Sequence, residues 1–576
     1  MNGPEGDDLD WLSIDWQQVE DDVQRLRQRI FTASRNGDLK KVRNLQKLML
    51  RSRANALVSV RRVTELNAGR KTAGADGRVV VTPPGKAFLA QSVQRRTAPW
   101  EPKPVKRVYV PKANGKRRPL GIPVIVDRVM QAQVVNALEP EWEARFEPKS
   151  YGFRPGRGCH DAISCIFNTV RGRSASRCWV LDADLAAAFD RIDHSHLLAS
   201  LGSFPARGLI ERWLKAGVVE NGRFAPTEEG TPQGGVVSPL LLNVALHGME
   251  QAAGVRYHSA VSKAGTTVSG SPVVVRYADD LVALCVSRDQ AEQVRTRLAA
   301  WLAPRGLAFN EDKTRVVHLD DGFDFLGFNV RRYRGKLLIK PSKAAVKRRR
   351  ERLAAEMLAL RGANAAAVIQ RLNPIIRGWS AYYRTVVSKR VFSSMDMYVW
   401  TLTYKWAKYS HSNKSRHWVV DRYFGQFNKS RQDRWVFGDR ESGAYLLKFS
   451  WTSIVRHQMV PGTASPDDPA LADYWARRRQ RSAPQLDGVS LRLLKTQHGR
   501  CSFCGGLLLL AEREPQSPIE WERWLTVTRR AVRKDAIAAE GEPGTPGEAV
   551  ALRLVHAHCR RRSSQVVART SASTGP

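Results

Sequence analysis

The stretch VVVRYADDLVALCV (273–286) sets two apolar, strand-like runs around a four-residue centre, Tyr277-Ala278-Asp279-Asp280. Such flanks on a short polar centre read as a β-hairpin presenting two adjacent carboxylates at its tip. Adjacent carboxylates repel one another unless a cation or solvent relieves them. A second apolar strand, within WVLDADLAAAFDRIDH (179–194), bears Asp182 and Asp184 and runs into a helical pattern. Together the two stretches would supply three carboxylates to a pair of Mg2+ ions. Two-metal phosphoryl transfer needs such hard oxygen ligands, around ions about 3.5–4 Å apart. Asp182 and Asp184 share one strand face, so periodicity leaves either as the ligand.

Working outward, the 576-residue chain is long enough for several domains with sizeable cores. Hydrophobic residues at 43% and charged residues at 26% exclude wholesale disorder. The balance of 93 Lys+Arg against 55 Asp+Glu gives a net charge of +38, which points to a polyanionic partner, nucleic acid by default. Residues 331–436 alone hold 25 Lys+Arg against 5 Asp+Glu, so the polyanion is expected mainly there. No apolar run approaches the roughly 18 residues needed to span a bilayer, and the start MNGPEGDDLD is acidic. The expectation is a soluble cytoplasmic protein with no membrane partner. Seven scattered cysteines do not suit a disulfide framework, and only Cys501 and Cys504 have metal-ligand spacing.

Along the chain, 14–62 reads as two helices separated at Asn36-Gly37-Asp38. LNAGRKTAGADG (66–77) reads as a loop, followed by strand-like VVV (79–81) and VKRVYVPK (105–112), the latter ending in a turn at Ala113-Asn114-Gly115. An α+β body then runs to about Val330. PGTASPDDPA (461–470) reads as a linker or exposed loop, and the C-terminal tail has a disordered composition.

Taken in order, these and further blocks resemble the bacterial group II intron-encoded reverse transcriptases, or maturases. YADD (277–280) resembles their catalytic signature and NAGRKTAGADG (67–77) their N-terminal extension. GKRRPLGIPVIVDRVMQ (115–131) and YGFRPGRGCHDAI (151–163) are similar to their finger blocks. VLDADLAAAFDRIDH (180–194), GTPQGGVVSPLLLN (230–243) and GLAFNEDKTRVVHL…FDFLGF (306–328) complete the polymerase core. RLNPIIRGWSAYYR (371–384) resembles the thumb, or X domain, that separates maturases from most other reverse transcriptases.

The resemblance implies an α+β, right-hand polymerase fold of fingers and palm. A helical N-terminal extension, an α-helical thumb and a small C-terminal zinc-ribbon-like module would complete it. The implied divisions are 1–85, the extension and first fingers segment; 86–335, fingers and palm; 336–436, thumb; 437–495, DNA-binding region and linker; 496–562, zinc module; and 563–576, disordered tail. It selects Asp184 over Asp182 as metal ligand, with Asp279 the second ligand and Asp280 the third catalytic carboxylate. Lys112, Arg118, Leu185, Phe189 and Gln233 match positions expected to bind the dNTP, Phe189 excluding a 2′ hydroxyl beneath the sugar.

In the thumb block, Ile375, Ile376, Trp379, Tyr382 and Tyr383 recur at helical spacing and read first as a core stripe. Arg371, Arg377 and Arg384, with Lys347, Arg348 and Arg349, would bind intron RNA on other faces. Cys501, Cys504, His556 and Cys559 would hold a structural Zn2+, with His498 and His558 as alternative fourth ligands. By position this module resembles the family's HNH endonuclease, but no histidine occurs from Cys504 to Val555, so imidazole activation of water is missing and the endonuclease reads as degenerate. The implied protein is an RNA-directed DNA polymerase in a ribonucleoprotein with intron RNA. It would use two Mg2+, dNTPs, template RNA and a DNA primer or target. The alternatives are a splicing-only RNA-binding cofactor and a domesticated host or defence enzyme.

Overall fold

Short polar side chains set the helix starts at the N-terminus. In the computed structural model, Asp15 accepts the N–H groups of Gln17 and Gln18 at the head of helix Trp16–Arg35, and Asp38 caps Leu39–Arg51 through the N–H of Lys41. The structure describes residues 9–67, 69–95, 100–111, 117–172, 175–258 and 265–481, then 492–494, 496–497, 500–502, 508, 515–537, 551–556 and 559. Where two helices read from the periodicity, there are three, because Ser52 accepts the N–H of Asn55 and starts a separate helix, Arg53–Arg61. Val79–Val81 is not a strand. Thr82 caps helix Pro83–Gln94 directly after it, Val80 packs on the N-terminal core, and Val79 and Val81 stay exposed.

Among the described residues, eleven strands follow in the region that precedes the helical bundle: β1 Val105–Pro111, β2 Arg117–Ile122, β3 Trp179–Asp184, β4 Val218–Glu220, β5 Arg223–Ala225, β6 Val273–Tyr277, β7 Asp280–Cys285, β8 Arg315–His318, β9 Phe323–Phe325, β10 Phe328–Tyr333 and β11 Lys336–Pro341. They form three sheets, ordered β2-β1-β4-β5, β6-β7-β3-β8 and β11-β10-β9. The second sheet is buried on both faces. Leu181, Ala183, Val274, Leu281 and Ala283 enter one core with helix Arg288–Leu302, while Val180, Val273, Val275, Val282 and Leu284 enter another with helix Cys159–Val170. By alternation Asp182, Asp184 and Asp280 lie on the second face.

Helices Lys343–Ala359, Ala365–Tyr383, Lys389–Ser410 and Arg416–Tyr423 form the basic bundle. Ile375, Ile376, Trp379, Tyr382 and Tyr383 are all buried in it, as their spacing predicts. The expected division at 335/336 falls in the turn of the β10–β11 hairpin, so the bundle starts after Ser342, which caps its first helix. The division at 85/86 likewise falls inside helix Pro83–Gln94.

The PGTASPDDPA stretch is not an exposed linker. Ser465 and Asp467 are buried, and Arg27 grips Asp467 in a fork at 2.8 and 2.7 Å while also meeting Glu139. Arg35 pairs with Asp468 at 2.7 Å, and Arg157 donates to the carbonyls of Gly462 and Ala464. A polar, proline-rich composition signals a loop, but these acids answer arginines more than 400 positions earlier in sequence. Such complementarity is invisible to local pattern.

Further on, helix Pro518–Ala531 lies against Ala365–Tyr383. The crossing occurs at Gly378, where a Cβ would stand 2.7 Å from the backbone nitrogen of Glu522, so only glycine permits it. Strands Val532–Ile537 and Ala551–His556 pair antiparallel beyond it.

Candidate active site

The hairpin turn forms as its sequence predicts. Tyr277 faces Asp280 across β6 and β7, and Ala278 takes φ 58°, the left-handed region that two-residue hairpin turns require. An alanine there costs roughly 1–2 kcal/mol, so surrounding contacts must hold it. Gly152 is one of them, since a Cβ on it would lie 2.2 Å from the Ala278 nitrogen. Asp184, the last residue of β3, stands directly across from Asp280, and Leu185 donates its N–H to the Asp279 carbonyl at 3.3 Å. One cross-strand step and one turn therefore bring Asp184, Asp279 and Asp280 together.

Their charge is incompletely compensated within the protein. Burial, then repulsion from Asp279 and Asp184, pushes the Asp280 carboxyl well above the usual range; burial, with Asp184 nearby, raises Asp279. Lys313 pairs with Asp184, and Asn310 donates its N–H to the Asp184 carbonyl at 2.8 Å. Asp182 is instead bound by Arg315 at 3.2 Å, with burial pushing it up to about 6. A half-buried cluster of hard oxygen donors short of positive charge suits a divalent cation, so the residues fit the divalent metal ions that reverse transcriptases use.

Around this cluster, Phe189 is 7% exposed, its ring edge-on to Phe153 at 6.1 Å. Its carbonyl accepts the N–H of Thr231 at 2.6 Å, tying the 230–235 loop to the helical turn after β3. The carbonyl of Gln233 accepts the N–H of Gly121 at 2.7 Å, which docks β2 on the same loop. Arg118 lies on β2 close enough for its charge to act on Asp279. Leu185 has its side chain in the core, so any contact of this residue with a nucleotide would be made by backbone. Lys112 lies outside the described residues.

The six basic positions Lys347, Arg348, Arg349, Arg371, Arg377 and Arg384 on the bundle differ in exposure. Lys347 and Arg348 are exposed. Arg371 is exposed but forked onto Glu356 at 2.7 and 3.1 Å. Arg377 and Arg384 are half-buried, with burial lowering Arg384. Arg349 is only 6% exposed, because it falls on the stripe Ala345, Arg349, Leu353, Met357 that faces the core; burial pushes it down to about 10. It offers no open guanidinium to a phosphate. Its neighbour Arg352 is forked by Glu522 at 2.7 Å on each nitrogen.

Farther along, Cys501, His556 and Cys559 are buried with their ligand atoms within 4.8 Å of one another. Three of the four expected zinc ligands therefore converge, on residues from both ends of the module. Cys504, His498 and His558 lie outside the described residues, as does 563–576. No helix among the described residues is long and apolar enough to cross a membrane.

Three family models match the chain in order: the N-terminal domain of reverse transcriptase over 11–93, reverse transcriptase (RNA-dependent DNA polymerase) over 110–330, and the group II intron maturase-specific domain over 346–424. Protein YkfC of Escherichia coli is 34% identical over 314 residues, covering 49% of this chain and 81% of its own. The chain belongs to the group II intron-encoded reverse transcriptase family. The group II intron-encoded protein LtrA of Lactococcus lactis is 39% identical over 168 residues, 28% of this chain and 27% of LtrA. Among solved structures, a telomerase from Candida tropicalis aligns over 42% of this chain and 56% of its own at 12% identity, with a TM-score of 0.31.

The structure brings Asp184, Asp279 and Asp280 together at the turn. What the sequence reading missed are the braces: Lys313, inside the quoted NEDKT block, and Arg276, directly before YADD. Charged residues embedded in apolar or catalytic blocks were the available signal.

Proposed function

We propose that the chain is an RNA-directed DNA polymerase that works with group II intron RNA, promoting its splicing and copying it into cDNA during retrohoming. The observation that carries this is the convergence of Asp184, Asp279 and Asp280 in a chain that also has a maturase-specific domain. When bound, two Mg2+ ions would activate the primer 3′ hydroxyl and stabilise the leaving pyrophosphate. Asp184 and Asp279 would hold them, with Asp280 beside. Arg118 and Lys112 would neutralise the triphosphate, and Gln233 would line the base pocket. Phe189, clamped by Phe153, would form the wall that rejects a ribose 2′ hydroxyl.

In this reading the β sheets and their helices are fingers and palm, and the basic bundle is the thumb. Lys347, Arg348 and Arg371 would carry most of its contact with RNA. The convergence of Cys501, His556 and Cys559 supports a structural Zn2+. The lack of histidine between Cys504 and Val555 supports loss of endonuclease activity. The protein would act in the bacterial cytoplasm, meeting the nucleoid when on target DNA.

Mg2+-dependent primer extension on an RNA template with dNTPs tests this directly. The wild type should extend the primer and Asp279→Ala should not; a folded, RNA-binding wild type without incorporation would leave the splicing-only reading in its place.

A further inference from the structure

Strand β6 reads Val-Val-Val-Arg-Tyr, and another apolar residue at position 276 would continue the run into the core. Arg276 is there instead, 2% exposed. A buried guanidinium is unfavourable unless its hydrogens find acceptors, and here both terminal nitrogens are bonded while Nε is not, so the partners of those two nitrogens show what the residue is for. It donates to the Ala278 carbonyl at 3.2 Å, to Asn243 Oδ1 at 2.9 Å and to Ser150 Oγ at 2.6 Å. Its backbone is tied to the same neighbour, taking the N–H of Tyr151 at 2.9 Å and giving its own to Lys149 at 3.0 Å.

These contacts close a circuit. The Asn243 amide donates onward to the Gly152 carbonyl at 2.9 Å, and Gly152 abuts the nitrogen of Ala278. Three separated blocks, 150–152, Asn243 and 276–278, thus meet at one guanidinium beneath the turn. The residue whose carbonyl it holds is the one with φ 58°, a conformation an alanine leaves when released. Asp279 and Asp280 follow immediately, so relaxation of Ala278 would rotate both.

We propose that Arg276 is a positioning residue: its hold on the Ala278 carbonyl keeps the turn strained and so sets Asp279 and Asp280 for the divalent cations. This rests on the polymerase reading of the site. The test uses the full-length chain as Arg276→Gln, Asn243→Ala and the double variant Arg276→Gln/Ala278→Gly, with folding followed by circular dichroism. Two quantities are read: Mn2+ binding without substrate, by electron paramagnetic resonance, and kcat and KM for dNTP in primer extension.

Arg276→Gln should weaken Mn2+ binding about tenfold and lower kcat at least about thirtyfold, with KM for dNTP within about threefold. Glycine at 278 reaches positive φ without penalty, so the double variant should regain several-fold in both. Asn243→Ala should show the same pattern at smaller amplitude, and it decides the matter if Arg276→Gln does not fold. Wild-type Mn2+ affinity in a folded Arg276→Gln or Asn243→Ala chain would overturn the proposal, as would losses that Ala278→Gly leaves untouched. A wild type that binds Mn2+ but extends no primer would sink the polymerase reading alone.

Discussion

Asp184, Asp279 and Asp280 meet within one turn and one cross-strand step, whereas the cations of the helical bundle are spread along its faces, and several are answered by acids, Arg352 by Glu522 and Glu356 and Arg371 by Glu356. The first arrangement keeps like charges together at high electrostatic energy, and buried neighbours hold them there. In the second, the exposed charges, Lys347, Arg348 and Arg371 among them, are cheap, solvated and replaceable. Loss of one group should therefore be nearly complete at the turn and graded on the bundle. Asp184→Asn should lower the primer-extension rate by a factor of about 10³ or more, or about 4 kcal/mol of transition-state stabilisation, while RNA binding stays at the wild-type level. A fall in RNA affinity comparable to the fall in rate would break the contrast.

Next in size is Gly152→Ala. The new methyl would stand 2.2 Å from the Ala278 nitrogen, and neither backbone can yield without moving the turn. Overpacking of this kind costs about 1–3 kcal/mol, and a lower melting temperature should come with a larger loss of kcat. An alanine variant with wild-type activity would show that the turn is softer than the carboxylate geometry implies.

A carboxylate just behind the site sharpens the contrast further. Glu250 accepts the N–H of Lys149, next to the Ser150 that meets Arg276, and burial together with Glu147 pushes it up to about 7. An acid raised on folding binds its proton more tightly in the folded chain. Its stabilising contribution is full below the ordinary value near 4.5 and is lost as pH rises from there to about 7. Glu250→Gln, which keeps an oxygen acceptor, should gain stability over wild type across that window, on the order of 2 kcal/mol. Parallel melting curves for the two proteins from pH 5 to pH 8 would show that Glu250 is already compensated.

The two regions also differed in how readable they were. The carboxylates lie in contiguous blocks whose apolar flanks favour a hairpin, so the placing of Asp279 and Asp280 at its tip was legible from period, while their roles, and the choice of Asp184 over Asp182, came from the resemblance. Their braces were not legible, because Arg276, Asn243 and Gly152 come from three blocks whose meeting is a property of the fold. On the bundle, composition located the charge but not its accessibility: Arg349 and Arg348 are neighbours in a run of arginines, and one helical step turns the first inward and the second outward. The 461–470 stretch, where Ser465, Asp467 and Asp468 are buried, failed for the same reason, since its acids are specified by Arg27 and Arg35 far upstream.

That one-step difference makes the smallest prediction the most discriminating for the bundle. Lys347 and Arg348 are open to solvent, so if they meet phosphates, replacing both with alanine should weaken RNA binding about three- to tenfold near 0.15 M salt. The slope of log affinity against log salt should shrink by about 1.5, and melting should be nearly unchanged. Arg352→Ala removes a cation of the same helix that already belongs to Glu522, so it should leave the salt slope alone and loosen the contact with helix Pro518–Ala531, read as faster proteolysis beyond position 515. If Arg352→Ala instead reduced the salt slope as much as the double variant does, Glu522 would have to be displaced by RNA, and charge on this bundle would be exchanged rather than partitioned between protein and nucleic acid.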